Sequence, residues 1–129
     1  MTDTALLFAF MEVESNFNTY AFRQDRNGGS YGLNQIDLQA AKDRGYEGDG
    51  PGLYDPFINM KFAMLDREWR AGELRKAGKY SIENLAAAYN EGLSAELQGR
   101  QDPAYVGKIT KAYAKWLQIF PVDTAVPVG

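Results

Sequence analysis

Residues 4–17 read TALLFAFMEVESNF, the most apolar helical stretch of the chain. Leu6, Phe10 and Val13 recur at spacings of four and three, which places them on one face of an α-helix. Glu14 lies beside that face, four positions after Phe10. We therefore expect this helix to pack in the core and to hold one carboxyl group at the edge of its apolar side.

Working outward, four more helices are predicted, each near a capping residue. They are Ile36 to Arg44 with Asp37 as cap, Asp55 to about Ala71, Ser81 to about Tyr89 and Asn90, and Asp102 to Leu117. Residues 18–34 lose the helical period, which predicts a loop or a short irregular hairpin. The sequence thus predicts a mainly α, single domain over residues 1–120, with about five helices around one core. Residues 121–129 are expected to form a peripheral tail.

The composition excludes several classes of partner. The 129 residues include 14 Lys and Arg against 17 Asp and Glu, without a basic run, so nucleic acid is not an expected partner. No apolar run reaches the roughly 18 residues that a membrane span needs, so no membrane insertion is expected. The first four residues lack the features of a secretory signal, so we expect release by another route or a domain cut from a longer protein. A monomer is expected.

Histidine and cysteine are both absent. This excludes serine–histidine and cysteine–histidine catalytic pairs and metal sites built on histidine or cysteine ligands. Acid–base chemistry must then come from a carboxyl group with a shifted pKa. Glu14 is the best candidate, since a carboxyl against an apolar face holds its proton more tightly. On the helix pattern alone, an ordinary solvated acid is the commoner case.

Several short motifs follow one another along the chain in a recognisable order. They are Glu14-Ser15, Gly32-Leu33-Asn34-Gln35-Ile36, Tyr54-Asp55-Pro56 with Asn59, Ala87-Ala88-Tyr89-Asn90-Glu91-Gly92, and Tyr105-Val106 with Tyr113. In this order they resemble the catalytic domain of the soluble lytic transglycosylases, a branch of the lysozyme superfamily, from about Ala5 to Leu117. The resemblance implies an α+β lysozyme-like fold with a substrate groove.

The resemblance also implies an activity. Peptidoglycan glycan strands would be cleaved at the β-1,4 bond between N-acetylmuramic acid and N-acetylglucosamine, giving 1,6-anhydromuramic ends. Glu14 would be the catalytic acid and then the base, without a metal ion or a cofactor, and Ser15 would orient it or the substrate. The implied substrate-binding residues are Ser15, Asn34, Gln35, Tyr89, Asn90 and Tyr105. Asn34 stands where the family usually has methionine. Such an enzyme would act on the bacterial cell wall, in the periplasm or outside the cell, and a phage origin fits equally.

Three alternatives stay open at this level. Residues 25–28 and 32–37 are also similar to goose-type lysozymes, in which Asp25 or Asp37 would hold a hydrolytic water; a turn and a helix cap are the simpler interpretations of these acids. The domain could instead be a wall-binding module of a phage tail or secretion apparatus, without turnover. Tyr89, Tyr105 and Gln35 could each be structural, as core aromatics and a loop tie.

Overall fold

The computed structural model describes residues 3–24 and 28–122. In this part the chain is mainly helical with a small antiparallel sheet, which confirms the predicted fold class. The elements are α1 Thr4–Ser15, β1 Phe22–Arg23, β2 Ser30–Tyr31, β3 Ile36–Asp37, α2 Leu38–Asp43, a 3-10 turn Pro51–Tyr54, α3 Pro56–Lys76, α4 Ile82–Glu91, α5 Leu93–Leu97 and α6 Pro103–Leu117. None of the described helices is both long and apolar enough to cross a membrane.

Helix α1 is the central element, as its apolar face predicts. Phe10 is fully buried and packs with residues of α4 and α6 in one core cluster, which includes Ala86 and Ile109. The helix ends at Ser15, so the predicted end at Phe17 is wrong. The reason is local: Asn16 adopts a left-handed φ of 52°, which stops the helical hydrogen bonding. Glu14 therefore occupies the last turn of α1.

The predicted caps are confirmed in four helices. Asp37, Asp55, Ser81 and Asp102 each accept a hydrogen bond from a backbone N–H in the first turn of α2, α3, α4 and α6. The helix bounds differ from the prediction most in α2 and α3. Helix α2 begins at Leu38, because the two preceding residues pair in the sheet. Helix α3 continues to Lys76, well beyond Ala71, and thereby buries Leu74 completely.

A sixth helix, α5, was not predicted. Its five residues follow Gly92, which has a φ of 99° and supplies no capping side chain. With neither a side-chain cap nor a second turn of apolar residues, the segment carries no helix signal in the sequence.

The irregular region after α1 forms a three-stranded antiparallel sheet in the order β1-β2-β3. Its register pairs Phe22 with Tyr31 and Ser30 with Asp37. The predicted hairpin is therefore part of a meander, and residues 32–35 form the connection between β2 and β3. A second core cluster, which includes Ile36, Leu53 and Phe62, fixes this sheet against α3. Of the predicted tail, residues 121–129, the last seven (123–129) lie outside the described residues.

Candidate active site

Glu14 lies in the wall of a cleft of about 750 Å³. The cleft is bordered by the sheet, α2, α3 and the end of α4. Glu14 itself is half-buried, because α1 is covered by α6 on the side from which the glutamate emerges. The most apolar helix of the chain thus carries a carboxyl group to the edge of an open groove.

One phenol holds this carboxyl group in place. The Tyr105 hydroxyl of α6 donates a hydrogen bond to Glu14 Oε2 over 2.5 Å. Burial raises the pKa of Glu14 above its ordinary value, and this outweighs the lowering by Tyr105 and by the charges of Arg23 and Arg67. Burial and the neighbouring Glu14 also raise the pKa of Tyr105, so its hydroxyl remains a donor. The arrangement can keep a proton on Glu14 and still stabilise its ionised form.

The connection between β2 and β3, which we call the cleft floor, contributes Gln35 to the lining of the cleft and is bonded to α1. The Ser15 hydroxyl donates to the Leu33 carbonyl over 2.8 Å, which joins the end of α1 to the loop. Gln35 has a left-handed φ of 46°. Its Nε2 donates to the carbonyls of Ala21 and Gly32, over 3.0 and 3.1 Å. Gln35 lines the cleft, whereas the described contacts of Ser15 tie the loop down.

Beneath this floor lies a buried polar network that the sequence did not predict. Asn34 has 0% exposure, and its Nδ2 donates to Asn59 Oδ1 over 3.1 Å. Arg67, which is 6% exposed, donates from Nη1 to Asn34 Oδ1 over 3.0 Å. The guanidinium of Arg67 lies 4.4 Å from the centre of the Phe10 ring. The one feature of the sequence that could have indicated this network is Asn34 in place of methionine, since a buried amide requires polar partners.

Gly32 is required by this network. Its φ is +71°, and a Cβ there would lie 2.5 Å from Asn59 Nδ2 and 2.8 Å from the Leu53 carbonyl oxygen. We expect Gly32→Ala to lower the free energy of unfolding by at least ~2 kcal/mol, as measured by urea denaturation. Gly45→Ala is the matched control, because its φ is +104° and a Cβ would meet nothing within 4 Å. Equal losses in the two variants would show that only the backbone angle matters.

Tyr89 connects the buried polar network to helix α4, which borders the cleft. Its hydroxyl donates to the Asn34 carbonyl over 2.8 Å, and its ring packs edge-on against Phe10 at 5.2 Å between centroids. Burial raises the pKa of Tyr89, so the phenol is neutral and holds the floor loop. The next residue, Asn90, is exposed and lines the cleft.

The structure thus brings most of the predicted site residues together. Four of them line one cleft, namely Glu14, Gln35, Tyr89 and Asn90. Tyr105 contacts Glu14, while Ser15 and Asn34 support the floor from behind. Asp37 also lines the cleft, but its carboxylate accepts a hydrogen bond from Ala40 N over 3.1 Å as the cap of α2. Asp25 lies outside the described residues.

The cleft also contains residues that were not predicted. Arg44, Asp66, Trp69 and Arg70 line it where α2 meets α3. Asp66 and Arg70 are an i, i+4 pair, a spacing that in sequence usually indicates a solvated helix face. Within the described residues, no group of three acidic side chains is placed to bind a metal ion.

Comparison with known proteins adds an independent observation. A family model described as the transglycosylase SLT domain matches residues 1–110 of the chain. The searches of curated proteins and of solved structures found no match to the chain. Members of this lysozyme-like family are lytic transglycosylases that act on peptidoglycan. Because the family match spans most of the 129 residues, the chain belongs to the transglycosylase SLT domain family.

Proposed function

We propose that this chain cleaves the β-1,4 bond between N-acetylmuramic acid and N-acetylglucosamine in peptidoglycan, with Glu14 as the only acid–base group. The proposal rests on one observation above all: a half-buried carboxyl whose pKa is raised by burial lies in the wall of a cleft of about 750 Å³. Family membership supports the substrate class. Gln35, Tyr89 and Asn90 line the same cleft and are proposed to contact the glycan.

In the first step, protonated Glu14 donates its proton to the glycosidic oxygen. Oε2 accepts the Tyr105 hydrogen bond, which leaves Oε1 to carry the proton that is donated. The bond between C1 of the muramic residue and that oxygen breaks, and the N-acetylglucosamine leaves with a free 4-hydroxyl. The acetamido oxygen of the muramic residue stabilises the positive charge that develops at C1. Glu14 is then ionised, and Tyr105 stabilises its carboxylate.

In the second step, the Glu14 carboxylate removes the proton of the C6 hydroxyl of the same muramic residue. The C6 oxygen forms a bond to C1 and closes the 1,6-anhydro ring, which removes the positive charge that the acetamido oxygen had stabilised. Glu14 regains its proton, so one group serves as acid and then as base without consuming water.

Analysis of the products tests this reaction. Mass spectrometry of digested peptidoglycan should show anhydromuramic ends, which are 18 mass units lighter than reducing ends by loss of one water. Reducing ends alone would instead support goose-type hydrolysis, with Asp25 or Asp37 holding a water. The family match gives that alternative no support, and Asp37 already caps α2. Binding of the wall without any new ends would support a module without turnover.

Tyr105→Phe is expected to move the alkaline limb of the kcat/KM profile to higher pH. The phenol stabilises the charged form of Glu14, so its removal raises the pKa of Glu14 further and preserves the acid form at higher pH. We also expect kcat to fall by about tenfold, since the carboxylate formed in the first step loses a charge-assisted hydrogen bond. Release of anhydro ends across a pH series measures both effects.

Tyr113→Phe is the matched control for this variant. The Tyr113 hydroxyl donates to Asp3 Oδ2 over 2.6 Å, so it forms the same kind of bond between α6 and the start of α1, outside the cleft. Its pH profile should coincide with that of the wild-type protein. An unmoved alkaline limb in Tyr105→Phe would contradict the role proposed for Tyr105.

A further inference from the structure

The cleft of Glu14 extends to a second group of polar side chains, which we call the arginine end: Arg44, Asp66, Trp69 and Arg70. None of them takes part in the proton transfers proposed above. They come from the C-terminal cap of α2 and from consecutive turns of α3. The proposed reaction therefore gives these four residues no role.

The arginine end carries two positive charges and one negative charge. Asp66 is 2% exposed and binds Arg70 Nε over 2.7 Å. Arg70 also donates from Nη1 to the Ala88 carbonyl over 2.8 Å, so this pair is well satisfied. Arg44 Nε lies 3.7 Å from Asp66 Oδ1, too far for a hydrogen bond. Arg44 is thus the surplus cation of the group.

Arg44 is held in place but not satisfied by the described part of the chain. Its guanidinium lies 4.2 Å from the centre of the Trp69 ring, which orients the guanidinium. Its Nε is buried and has no hydrogen-bond partner, and its Nη groups donate no hydrogen bond to any described residue. Buried donors without partners are uncommon in native proteins. The side chain keeps 18% exposure, on the cleft side.

We infer that Arg44, oriented by Trp69, binds a carboxylate of the glycan substrate at the arginine end of the cleft. A planar guanidinium with free Nη donors matches a carboxylate in both charge and geometry. Several carboxyl groups also line the cleft, so the cleft as a whole does not attract an anion. The selection for an anion is therefore local to Arg44. This inference rests on the proposed function, because it assigns a part of the same substrate to the same groove.

Peptidoglycan offers carboxylates from two sources. A stem peptide on muramic acid carries them at its end and on acidic side chains, and a strand stripped of its stems exposes the lactyl carboxylate. Both present the same chemistry to Arg44. Four preparations distinguish them: peptide-bearing strands, amidase-stripped strands, and each of these after carbodiimide amidation of its carboxyl groups.

The experiment measures kcat and KM for release of new glycan ends from each preparation. For the wild-type protein, amidation of the preferred strand should raise KM about tenfold with little change in kcat, a moderate effect because the groove is open to solvent. In Arg44→Gln, KM for the carboxylated strand should rise to the amidated value, and amidation should then have no effect. A response confined to peptide-bearing strands identifies the stem, and one confined to stripped strands identifies the lactyl group.

Arg75→Gln is the matched control. The Arg75 guanidinium lies 4.2 Å from the centre of the Tyr80 ring, the same separation as in the Arg44 and Trp69 pair, and Arg75 does not line this cleft. Its KM should equal that of the wild-type protein on every strand. If Arg44→Gln fails to fold, equal KM values of the wild-type protein on native and amidated strands still contradict the inference.

Two results would overturn the inference: equal KM values of the wild-type protein on native and amidated strands, or a KM increase in Arg44→Gln that is the same on all four preparations. The second would mean that Arg44 only supports the fold. New ends with equal KM values would remove the carboxylate site alone. No new ends from any strand would remove the proposed function as well.

Discussion

Glu14→Gln is expected to lower kcat by about 10²–10⁴-fold while the protein keeps its fold. Glutamine has nearly the shape of glutamic acid, and its side-chain oxygen can still accept the 2.5 Å hydrogen bond from Tyr105. It can neither give a proton to the glycosidic oxygen nor take one from the C6 hydroxyl. Both steps of the proposed reaction therefore fail together. Turbidity loss of cell-wall suspensions and mass spectrometry of the released ends measure the effect.

Glu12→Gln is the control for this variant. Glu12 lies half a turn earlier on α1, is outside the cleft, and pairs with Lys115 over 2.6 Å. The bond to Lys115 lowers the pKa of Glu12, the opposite of the shift at Glu14. Glu12→Gln should clear the suspension at the wild-type rate. Equal clearing by Glu14→Gln and the wild-type protein would remove Glu14 from the mechanism.

The same variant has a second, independent readout in stability. Because burial raises the pKa of Glu14 in the folded state, folding favours its protonated form. That contribution is complete below the unfolded pKa of about 4.3 and is lost as pH rises through the folded pKa. Glu14→Gln and the wild-type protein should therefore respond differently to pH, with the variant gaining relative stability as pH rises. A difference in unfolding free energy that is constant with pH would mean that Glu14 is solvated.

The part of the site that could be predicted best from the sequence is the position of Glu14, because it depends on the pattern of a single helix. The apolar stripe of α1 places Glu14 at the edge of its buried face, and short-range periodicity is sufficient for that. Its partner Tyr105 lies 91 residues away, and the resemblance to a known family implied Tyr105 only as a substrate-binding residue, not as the hydrogen-bond partner of Glu14. Arg67 was missed, since an arginine inside an ordinary helical pattern predicts a solvated side chain. Long-range polar contacts do not appear in local patterns.

The fold likewise divides into elements that local patterns predict and elements that depend on long-range contacts. Helix starts followed from caps such as Asp55 and Asp102, because capping is a contact between residues two or three apart. The strands have two residues each, too few for an alternating pattern to be visible. The pairing of β2 with β3 depends on the connection at Gly32, and that connection is held by Asn59 on α3. The sheet is therefore specified by tertiary contacts.

Asn59→Leu is expected to lower the free energy of unfolding by about 4 kcal/mol, a large part of the stability of a typical domain. Asn59 has 0% exposure, and its amide makes four hydrogen bonds. Oδ1 accepts from the backbone N and the side-chain Nδ2 of Asn34, and Nδ2 donates to the carbonyls of Tyr31 and Leu53, all within 2.8 to 3.1 Å. Leucine fills the space but leaves these groups without partners. Urea denaturation measures the loss.

Two further variants show whether the hydrogen bonds, and not the substitution itself, cause this loss. Asn84→Leu also replaces a helical asparagine, but its bonds to Lys79 and Gln101 are exposed to solvent, so its cost should be about 0.5 kcal/mol. Asn59→Asp keeps an oxygen that can accept both hydrogen bonds from Asn34 but places a carboxylate against the Tyr31 and Leu53 carbonyls, so it should be no more stable than Asn59→Leu. Wild-type stability in Asn59→Asp would mean that the donors of Asn59 are dispensable. The cleft floor would then depend on the Asn34 contacts alone.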